Sequence, residues 1–251
     1  MEIIKLTDRN IEDEHICCAF SNKLTTEGYK MKKEWLKTEF RNGYSFQKMD
    51  VRGKVFIEYV PIEHSWLPLE GLNFMVINCF WVSGKYKGKG NGKRLLKQCL
   101  DDARVRGMDG VVAISSDKKR PFMSDPKFFR YQGFEVVDEA LPFFKLWGMK
   151  FGEEGTFPRI LDSAKLGVCP NKEGITAYYS NSCPFTDYYT NQQLKAYGKE
   201  KGVPVEIHHI DSQEMGQKMP IPWIIASVFY EGELVTLEVK ANRHLDKLIG
   251  G

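Results

Sequence analysis

A glycine-rich, basic stretch at residues 86–96 carries the clearest chemistry in this sequence, Tyr-Lys-Gly-Lys-Gly-Asn-Gly-Lys-Arg-Leu-Leu. Gly88, Gly90 and Gly92 allow the backbone to approach a ligand closely and to adopt dihedral angles that other residues avoid. The helix predicted to begin here has unpaired N–H groups at the positive end of its dipole. Cationic side chains surround the turn at Lys85, Lys87, Lys89, Lys93 and Arg94. The stretch therefore predicts a site for a phosphate or pyrophosphate group.

The spacing of the glycines distinguishes between kinds of phosphate loop. A P-loop requires G-x-x-x-x-G-K-[ST], which no register of the stretch provides. A dinucleotide fingerprint requires G-x-G-x-x-G, whose last position falls on Lys93. The pattern that fits is a basic residue followed by x-x-G-x-G, at Lys87, Gly90 and Gly92. It resembles the pyrophosphate loop of the GNAT superfamily of N-acetyltransferases, whose ligand is acetyl-coenzyme A (acetyl-CoA).

Two further segments are similar to GNAT signatures, in the order that the family has. Residues 73–82 are an apolar run similar to the family's central strand, which splays from its neighbour and receives the pantetheine arm. Residues 125–134 resemble a short helix that ends in Gly-Phe, where Gly133 suits a left-handed helix end. The resemblance implies that the cofactor contacts Phe80, Trp81, Val82, Lys87, Gly88, Lys89, Gly90, Asn91, Gly92, Lys93 and Phe129.

The groups that move protons are harder to assign. Many family members have a tyrosine four residues before the glycine of Gly-Phe, and that position here is Phe129. Tyr131 is a candidate proton donor, but two residues along a helix rotate its side chain by about 200°. For a general base the sequence leaves several candidates open, namely Glu58, Glu63, His64, Asn78 and Cys79.

The elements around these motifs predict a mixed α/β (α+β) acetyltransferase fold over residues 1–150. Helices at residues 11–20 and 31–40 and a hairpin at residues 44–60 precede the central strand. The helix at residues 92–106 repeats apolar side chains on one face, at Leu95, Leu96, Cys99, Leu100 and Ala103. Glycines and prolines interrupt residues 151–173, which we interpret as a linker.

Residues 174–251 predict a second, smaller domain. A strand, a helix, a strand, a proline, a hairpin and a final helix follow in an order similar to the thioredoxin-like fold. Residues 183–186 read Cys-Pro-Phe-Thr where glutaredoxins have Cys-Pro-Tyr-Cys, and Pro222 resembles the cis-proline that faces that cysteine. Cys183 opens a helix, where the dipole favours a thiolate. The combination of domains resembles the YoaP-like acetyltransferases.

Composition indicates a soluble globular protein. Of the 251 residues, 42% are hydrophobic and 27% are charged, as in ordinary packed domains. A net charge of +3 gives no reason to expect a nucleic-acid partner. No segment approaches the roughly 20 apolar residues of a membrane span, and the six cysteines lack metal-site or disulfide-framework spacing. We therefore expect a cytoplasmic protein without a metal, and its oligomeric state stays open.

Together these patterns predict an acetyl-CoA-dependent N-acetyltransferase that acts on a small-molecule or protein amine. One alternative is a thiol-redox or thiol-binding protein in which Cys183 does the chemistry and coenzyme A binding is regulatory. Another is a coenzyme A-binding module without transferase activity, because Phe129 stands where many family members have a tyrosine.

Overall fold

A computed structural model describes residues 2–16 and 22–249, and strands dominate its N-terminal part. These strands are β1 (Ile3–Lys5), β2 (Ser45–Met49), β3 (Val55–Pro61), β4 (Leu69–Glu70), β5 (Phe74–Val82), β6 (Gly110–Ser116), β7 (Glu135–Ala140), β8 (Phe144–Lys150) and β9 (Arg159–Ile160). The helices of this part are α1 (Thr26–Phe40), α2 (Asn91–Val105) and α3 (Pro126–Tyr131). This alternation of strands and helices is the mixed α/β fold that the sequence predicts.

The main sheet contains a gap between two of its central strands. Its order is β1-β2-β3-β5-β6-β8-β7, and β5 runs parallel to β6 over residues 74–77 and 110–113. Farther along, β5 stays paired with β3 up to Val82, while β6 pairs with β8. The ladder between β3 and β5 skips Asn78, because Ile77 lies opposite Tyr59 but Cys79 lies opposite Glu58. Such a bulge bends a strand, and β5 separates from β6 at this point.

The helices agree with the predicted ones in part. α2 buries Leu95 and Leu96 on its predicted apolar face, and α1 begins earlier than expected, at Thr26. The helix expected at residues 11–20 is wrong for its described portion, which forms turns. Asn10 Oδ1 accepts the Thr7 N–H at 2.8 Å, and such side-chain bonds compete with helix formation. Residues 17–20 lie outside the described residues.

The segment at residues 151–173 packs on both parts of the chain. Its strand β9 pairs with β4. Lys165 accepts the Leu141 N–H on its carbonyl oxygen at 2.8 Å, and Cys169 donates its N–H to the Gly232 carbonyl oxygen at the same distance. The segment is therefore fixed at both ends by backbone hydrogen bonds.

The C-terminal part forms a second sheet with helices around it. Its elements are β10 (Ile175–Ser180), α4 (Leu194–Lys201), β11 (Val205–Ile210), α5 (Gln213–Gln217), β12 (Ala226–Tyr230), β13 (Glu233–Thr236) and α6 (Asn242–Ile249). A π-helical segment, Asp187–Gln193, leads directly into α4. The strand order is β11-β10-β12-β13, in which β10 and β11 are parallel and the other pairs are antiparallel.

Helix α5 of the C-terminal part packs against the N-terminal part. Gln217 Nε2 donates to the Ser65 carbonyl oxygen at 3.0 Å. Gly216 lies so close to the backbone of Trp66 that an added Cβ would collide with the Trp66 carbonyl oxygen. Trp66 and Trp223, which precedes β12, belong to one buried apolar cluster. A continuous core therefore joins the two parts.

Candidate active site

A cavity of about 480 Å³ lies beside the separated end of β5. The end of β5 forms one wall, the glycine loop with the start of α2 forms a second, and the segment leading into α3 forms a third. The lining residues are Phe80, Trp81, Val82, Tyr86, Lys87, Gly88, Gly90, Asn91, Gly92, Lys93, Lys119, Met123, Ser124, Asp125 and Phe128. The splayed strand and the predicted phosphate turn thus belong to one site.

The glycine loop takes its shape from two left-handed residues. Gly88 has φ 71° and Gly90 has φ 75°, a region that residues with a Cβ rarely adopt. The N-cap residue of α2 is Gly90, which has no side chain. The first N–H groups of this helix therefore receive no hydrogen bond from an N-cap side chain. Asn91 Nδ2 donates to the Tyr86 carbonyl oxygen at 2.9 Å and holds the loop against the helix. This arrangement is suited to an anion.

Gly92 is required for close packing rather than for its dihedral angles. An added Cβ would lie 3.3 Å from the Phe128 ring and 3.5 Å from the Phe80 ring. These two rings meet edge to face, with their centroids 5.2 Å apart. The start of α2 therefore borders an aromatic wall, which makes the cavity apolar on one side and polar at its rim.

The rim carries more positive than negative charge. Lys87, Lys93 and Lys119 line the cavity together with a single carboxylate, that of Asp125. Asp125 is engaged in capping α3, because its Oδ1 accepts the Lys127 N–H at 3.0 Å. Cations beside unpaired helix N–H groups favour a ligand with more than one negative charge.

Most residues predicted to contact a cofactor line this cavity, with two exceptions. The side chain of Lys89 is exposed, and Phe129 is fully buried with its ring stacked on Trp147. Tyr131, the predicted proton donor, is 83% exposed and does not line the cavity. The structure therefore does not support Tyr131 as the proton donor, because the rotation along α3 directs position 131 to the surface.

The prediction missed most of the third wall. Ser124 joins this wall to β5, since its Oγ donates to the Phe80 carbonyl oxygen at 3.4 Å. Phe128 was identifiable in principle, because it neighbours Phe129 in the same short helix. Lys119 lies in a loop whose path no periodic pattern defines. The other missed lining residues are Tyr86, Met123 and Asp125.

A second cavity of about 20 Å³ adjoins the first, and the two share Phe80, Trp81 and Ser124 as lining residues. It lies in the gap between the strands and is lined by Ile77, Asn78, Cys79, Phe80, Trp81, Ala113, Ile114, Phe122, Ser124, Phe129, Trp223 and Ile225. Trp223 and Ile225 come from the C-terminal part, which therefore closes the gap from one side. We call this the inner cavity and the larger one the outer cavity.

A buried charged network lies beneath the bulge of β5. Lys32 Nζ donates to Glu58 Oε1 at 2.6 Å, and the Tyr44 hydroxyl donates to Glu58 Oε2 at 2.8 Å. Burial, reinforced by the Glu58 carboxylate, raises the pKa of Tyr44 well above its ordinary value, while a hydrogen bond from Asn78 opposes that rise. Both oxygens of Glu58 are occupied and its charge is balanced, so Glu58 is a poor general base.

Two other base candidates lie on a short 3-10 helix at the surface. Glu63 and His64 are both exposed, and Glu63 Oε1 accepts the Asn73 N–H at 2.6 Å. Neither residue lines the outer or the inner cavity. Asn78 and Cys79 are the candidates that the structure brings next to the gap between the strands.

Cys183 lies in the turn between β10 and the helical segment, where it is half-buried. The Thr186 hydroxyl donates to the Cys183 carbonyl oxygen at 2.8 Å, so the residue in the place of a second cysteine closes this turn. The backbone of Pro184 packs directly against Gly28 of α1. Pro222 follows a trans peptide bond, so it differs from the cis-proline that it resembles in sequence.

Residues 2–16 and 22–249 contain neither a membrane-spanning helix nor a metal cluster. In that part of the chain no helix is long and apolar enough to cross a membrane. The same residues contain no group of three or more His, Cys, Asp or Glu side chains able to hold a metal ion. Cys17 and Cys18 lie outside the described residues.

Comparison with known proteins agrees with the fold. Residues 10–134 match the model of the Acetyltransferase (GNAT) family. The chain is 41% identical over 246 residues to a Bacillus subtilis (strain 168) protein named uncharacterized N-acetyltransferase YoaP, and the match covers 98% of this chain and 97% of that relative. The chain therefore belongs to the GNAT family of N-acetyltransferases. Its residues 204–247 match the YoaP-like model, which defines the kind of C-terminal domain that it carries.

Solved structures of N-acetyltransferases are similar to part of this chain. A ribosomal-protein-alanine N-acetyltransferase from Brucella melitensis is 19% identical with a TM-score of 0.44, over 60% of this chain and 100% of its own. A PaiA N-acetyltransferase from Thermoplasma acidophilum, solved in complex with coenzyme A, is 20% identical with a TM-score of 0.42, over 60% of this chain and 100% of its own.

Proposed function

We propose that this N-acetyltransferase binds acetyl-CoA in the outer cavity and transfers the acetyl group to the amine of a small molecule or a protein. The observation that carries the proposal is the junction of a basic, left-handed glycine loop with the separated end of β5 in one cavity. An anionic group and an extended chain can be bound there at the same time. The family that the chain belongs to uses acetyl-CoA as its acetyl donor.

The loop would hold the pyrophosphate of acetyl-CoA. The backbone N–H groups of residues 88–93 and the start of α2 supply hydrogen-bond donors, and Lys87, Lys93 and Lys119 supply positive charge. Lys89 is exposed beside them and would act through its backbone. Because the backbone supplies the hydrogen bonds and three lysines share the charge, we expect the loop glycines to matter more for binding than any one lysine.

The separated end of β5 would receive the rest of the donor. Phe80, Trp81 and Val82 have no strand partner on the side of β6, so backbone groups there are available to a ligand, apart from the Phe80 carbonyl oxygen that accepts from Ser124. During the reaction the amine nitrogen bonds to the acetyl carbon, the carbon–sulfur bond breaks, and the amine proton is finally transferred to the sulfur. Orienting both reactants in one cleft is the main contribution that the protein has to make.

We also propose that the C-terminal domain is thioredoxin-like, with domains at residues 1–150 and 174–251 and a connecting segment at residues 151–173. Its order of elements and its β11-β10-β12-β13 sheet support this proposal. Cys183 then occupies the turn after β10, the first strand of this domain, and the next residue, Pro184, contacts α1. A cytoplasmic location is part of the proposal, since acetyl-CoA is a metabolite of that compartment.

Turnover with a panel of amines tests the proposed function. Release of coenzyme A thiol from acetyl-CoA is followed with polyamines, amino sugars, amino acids and peptides that have a free N-terminus, and each product is weighed by mass spectrometry. We expect acetylation of one class of amine, retained in Cys183→Ser and in the surface control Tyr131→Phe. Loss of turnover in Cys183→Ser alone would instead favour thiol chemistry at that residue. Binding of acetyl-CoA without turnover on any amine would favour a binding module.

A further inference from the structure

Three buried polar atoms without a hydrogen-bond partner belong to residues that line the inner cavity. They are Asn78 Oδ1, Trp81 Nε1 and Trp223 Nε1. Buried polar groups in folded proteins are nearly always paired, so three such groups around one cavity indicate that something else satisfies them. Trp223 is 5% exposed and belongs to the C-terminal domain, whereas Asn78 and Trp81 lie on β5.

The buried charged network fixes which way Asn78 points. Lys32 Nζ donates to Glu58 Oε1, and the Tyr44 hydroxyl donates its proton to Glu58 Oε2. The Tyr44 oxygen can then only accept, and Asn78 must offer it the amide NH₂ group. The Oδ1 atom of Asn78 is thereby turned away from Tyr44 and left as an acceptor. The residues around the inner cavity thus carry one unpaired acceptor and two unpaired indole N–H donors.

This set of groups complements the reacting atoms of acetyl transfer. A thioester carbonyl oxygen accepts hydrogen bonds and gains negative charge as the amine adds to its carbon, so preorganised donors there accelerate the reaction. The attacking amine carries N–H groups that need an acceptor. Because the inner cavity shares Phe80 and Trp81 with the outer cavity, the end of a ligand bound in the outer cavity can enter it.

We propose that the C-terminal domain completes the acetyltransferase site through Trp223. The indole N–H groups of Trp223 and Trp81 donate to the thioester carbonyl oxygen, and Asn78 Oδ1 accepts a hydrogen bond from the acceptor amine. This inference rests on the proposed function. It assigns a catalytic role to a domain that lies outside the acetyltransferase fold.

The inner cavity has room for one water molecule before the reactants enter. A volume of about 20 Å³ holds one water molecule, for which about 10–15 Å³ is enough. A single water bound there would accept from both indoles and donate to Asn78 until the reactants replace it. Phe122 borders the cavity, is 40% exposed and has a left-handed φ of 64°, a strained conformation of the kind found at ligand clamps. Movement of Phe122 would make the room that the acetyl group needs.

Indole NMR signals of the wild-type protein provide a test that does not depend on activity. The chain has five tryptophans, and each gives one ¹H–¹⁵N indole signal that a Trp→Phe variant assigns. On addition of acetyl-CoA we expect the Trp223 and Trp81 signals to shift more than with coenzyme A, which lacks the carbonyl. The Trp147 indole is also buried without a partner but does not line the inner cavity, so its signal serves as the internal control.

Kinetics of Trp223→Phe give the second test, with Trp147→Phe as the matched loss of a buried indole. Removal of one oxyanion donor lowers kcat by roughly 10²–10³-fold in other enzymes, and we expect a loss of that order in Trp223→Phe with unchanged affinity for coenzyme A. Trp147→Phe should keep its kcat. Acetyl transfer that proceeds normally in Trp223→Phe, or an unshifted Trp223 signal with acetyl-CoA bound, would overturn the inference alone. Failure of wild type to bind acetyl-CoA would overturn the proposed function as well.

Discussion

The buried pair of Lys32 and Glu58 gives a sharp prediction about stability. Their charged atoms are 2.6 Å apart, and the side chains are 2% and 1% exposed. In the variant Lys32→Met the methionine fills a similar volume but leaves the Glu58 carboxylate without its cation. Tyr44 still donates to that carboxylate, but one hydrogen bond does not compensate a buried charge. We therefore expect Lys32→Met to destabilise the fold strongly.

The magnitude follows from the burial of both partners. Breaking a buried ion pair on one side costs about 3–5 kcal/mol, whereas replacing both partners by uncharged groups is often nearly neutral. For a urea dependence of about 3 kcal/mol per M, the single variant should unfold at a urea concentration about 1–2 M lower than wild type. The double variant Lys32→Met, Glu58→Gln should recover most of this loss.

Urea unfolding followed by tryptophan fluorescence measures the effect, because Trp35 packs edge to face on Tyr44, with ring centroids 5.0 Å apart. Lys30→Met is the matched control, since Lys30 lies on the same helix in an exposed pair with Glu27, and exposed pairs contribute little. A single variant Lys32→Met as stable as wild type, or a double variant as unstable as the single one, would refute the reasoning.

Three further outcomes follow from the structure. Burial raises the pKa of Glu39 to about 7 from its ordinary 4.5, so wild type should lose stability as the pH rises from 4.5 to 7, by roughly 1–2 kcal/mol once solvent screening is allowed for. Thermal unfolding of Glu39→Gln should lack this loss. Gly216→Ala should destabilise by about 1–3 kcal/mol through its collision with Trp66, whereas Gly152→Ala, with open space around it, should not. Cys183→Ser should leave acetyl-CoA affinity unchanged by calorimetry, and a loss of affinity would implicate the thiol in the donor site.

The loop, the central strand and the Gly-Phe helix could be predicted because each is a local pattern. A glycine loop, an apolar run and a helix stop can each be recognised within about ten neighbouring residues. In the structure Gly88 and Gly90 have the left-handed conformation. The prediction named Phe129 instead of Phe128 as a cofactor contact. The two residues are neighbours in a short helix and lie on different faces of it. The limits of the domains remain predictions.

Contacts between distant residues could not be predicted in this way. Nothing in the periodicity of residues 220–225 indicates that Trp223 reaches a cavity beside Asn78. Likewise, the pairing of Lys32 with Glu58 joins a helix to a strand 26 residues later, and a charged residue on an amphipathic helix is ordinarily solvated. The base candidates stayed open because exposure and occupied oxygens, which exclude Glu63 and Glu58, are properties of the folded chain.

Calorimetric titration of acetyl-CoA tests the central claim most directly, because it asks whether the glycine loop holds the donor. Gly90→Asp places a negative charge where the pyrophosphate should bind. Gly107→Asp is its control, since both glycines have positive φ and open space around them but Gly107 follows the far end of α2. The account predicts that wild type and Gly107→Asp bind acetyl-CoA while Gly90→Asp does not. Binding of equal strength by Gly90→Asp, or no binding by folded wild type, would contradict it.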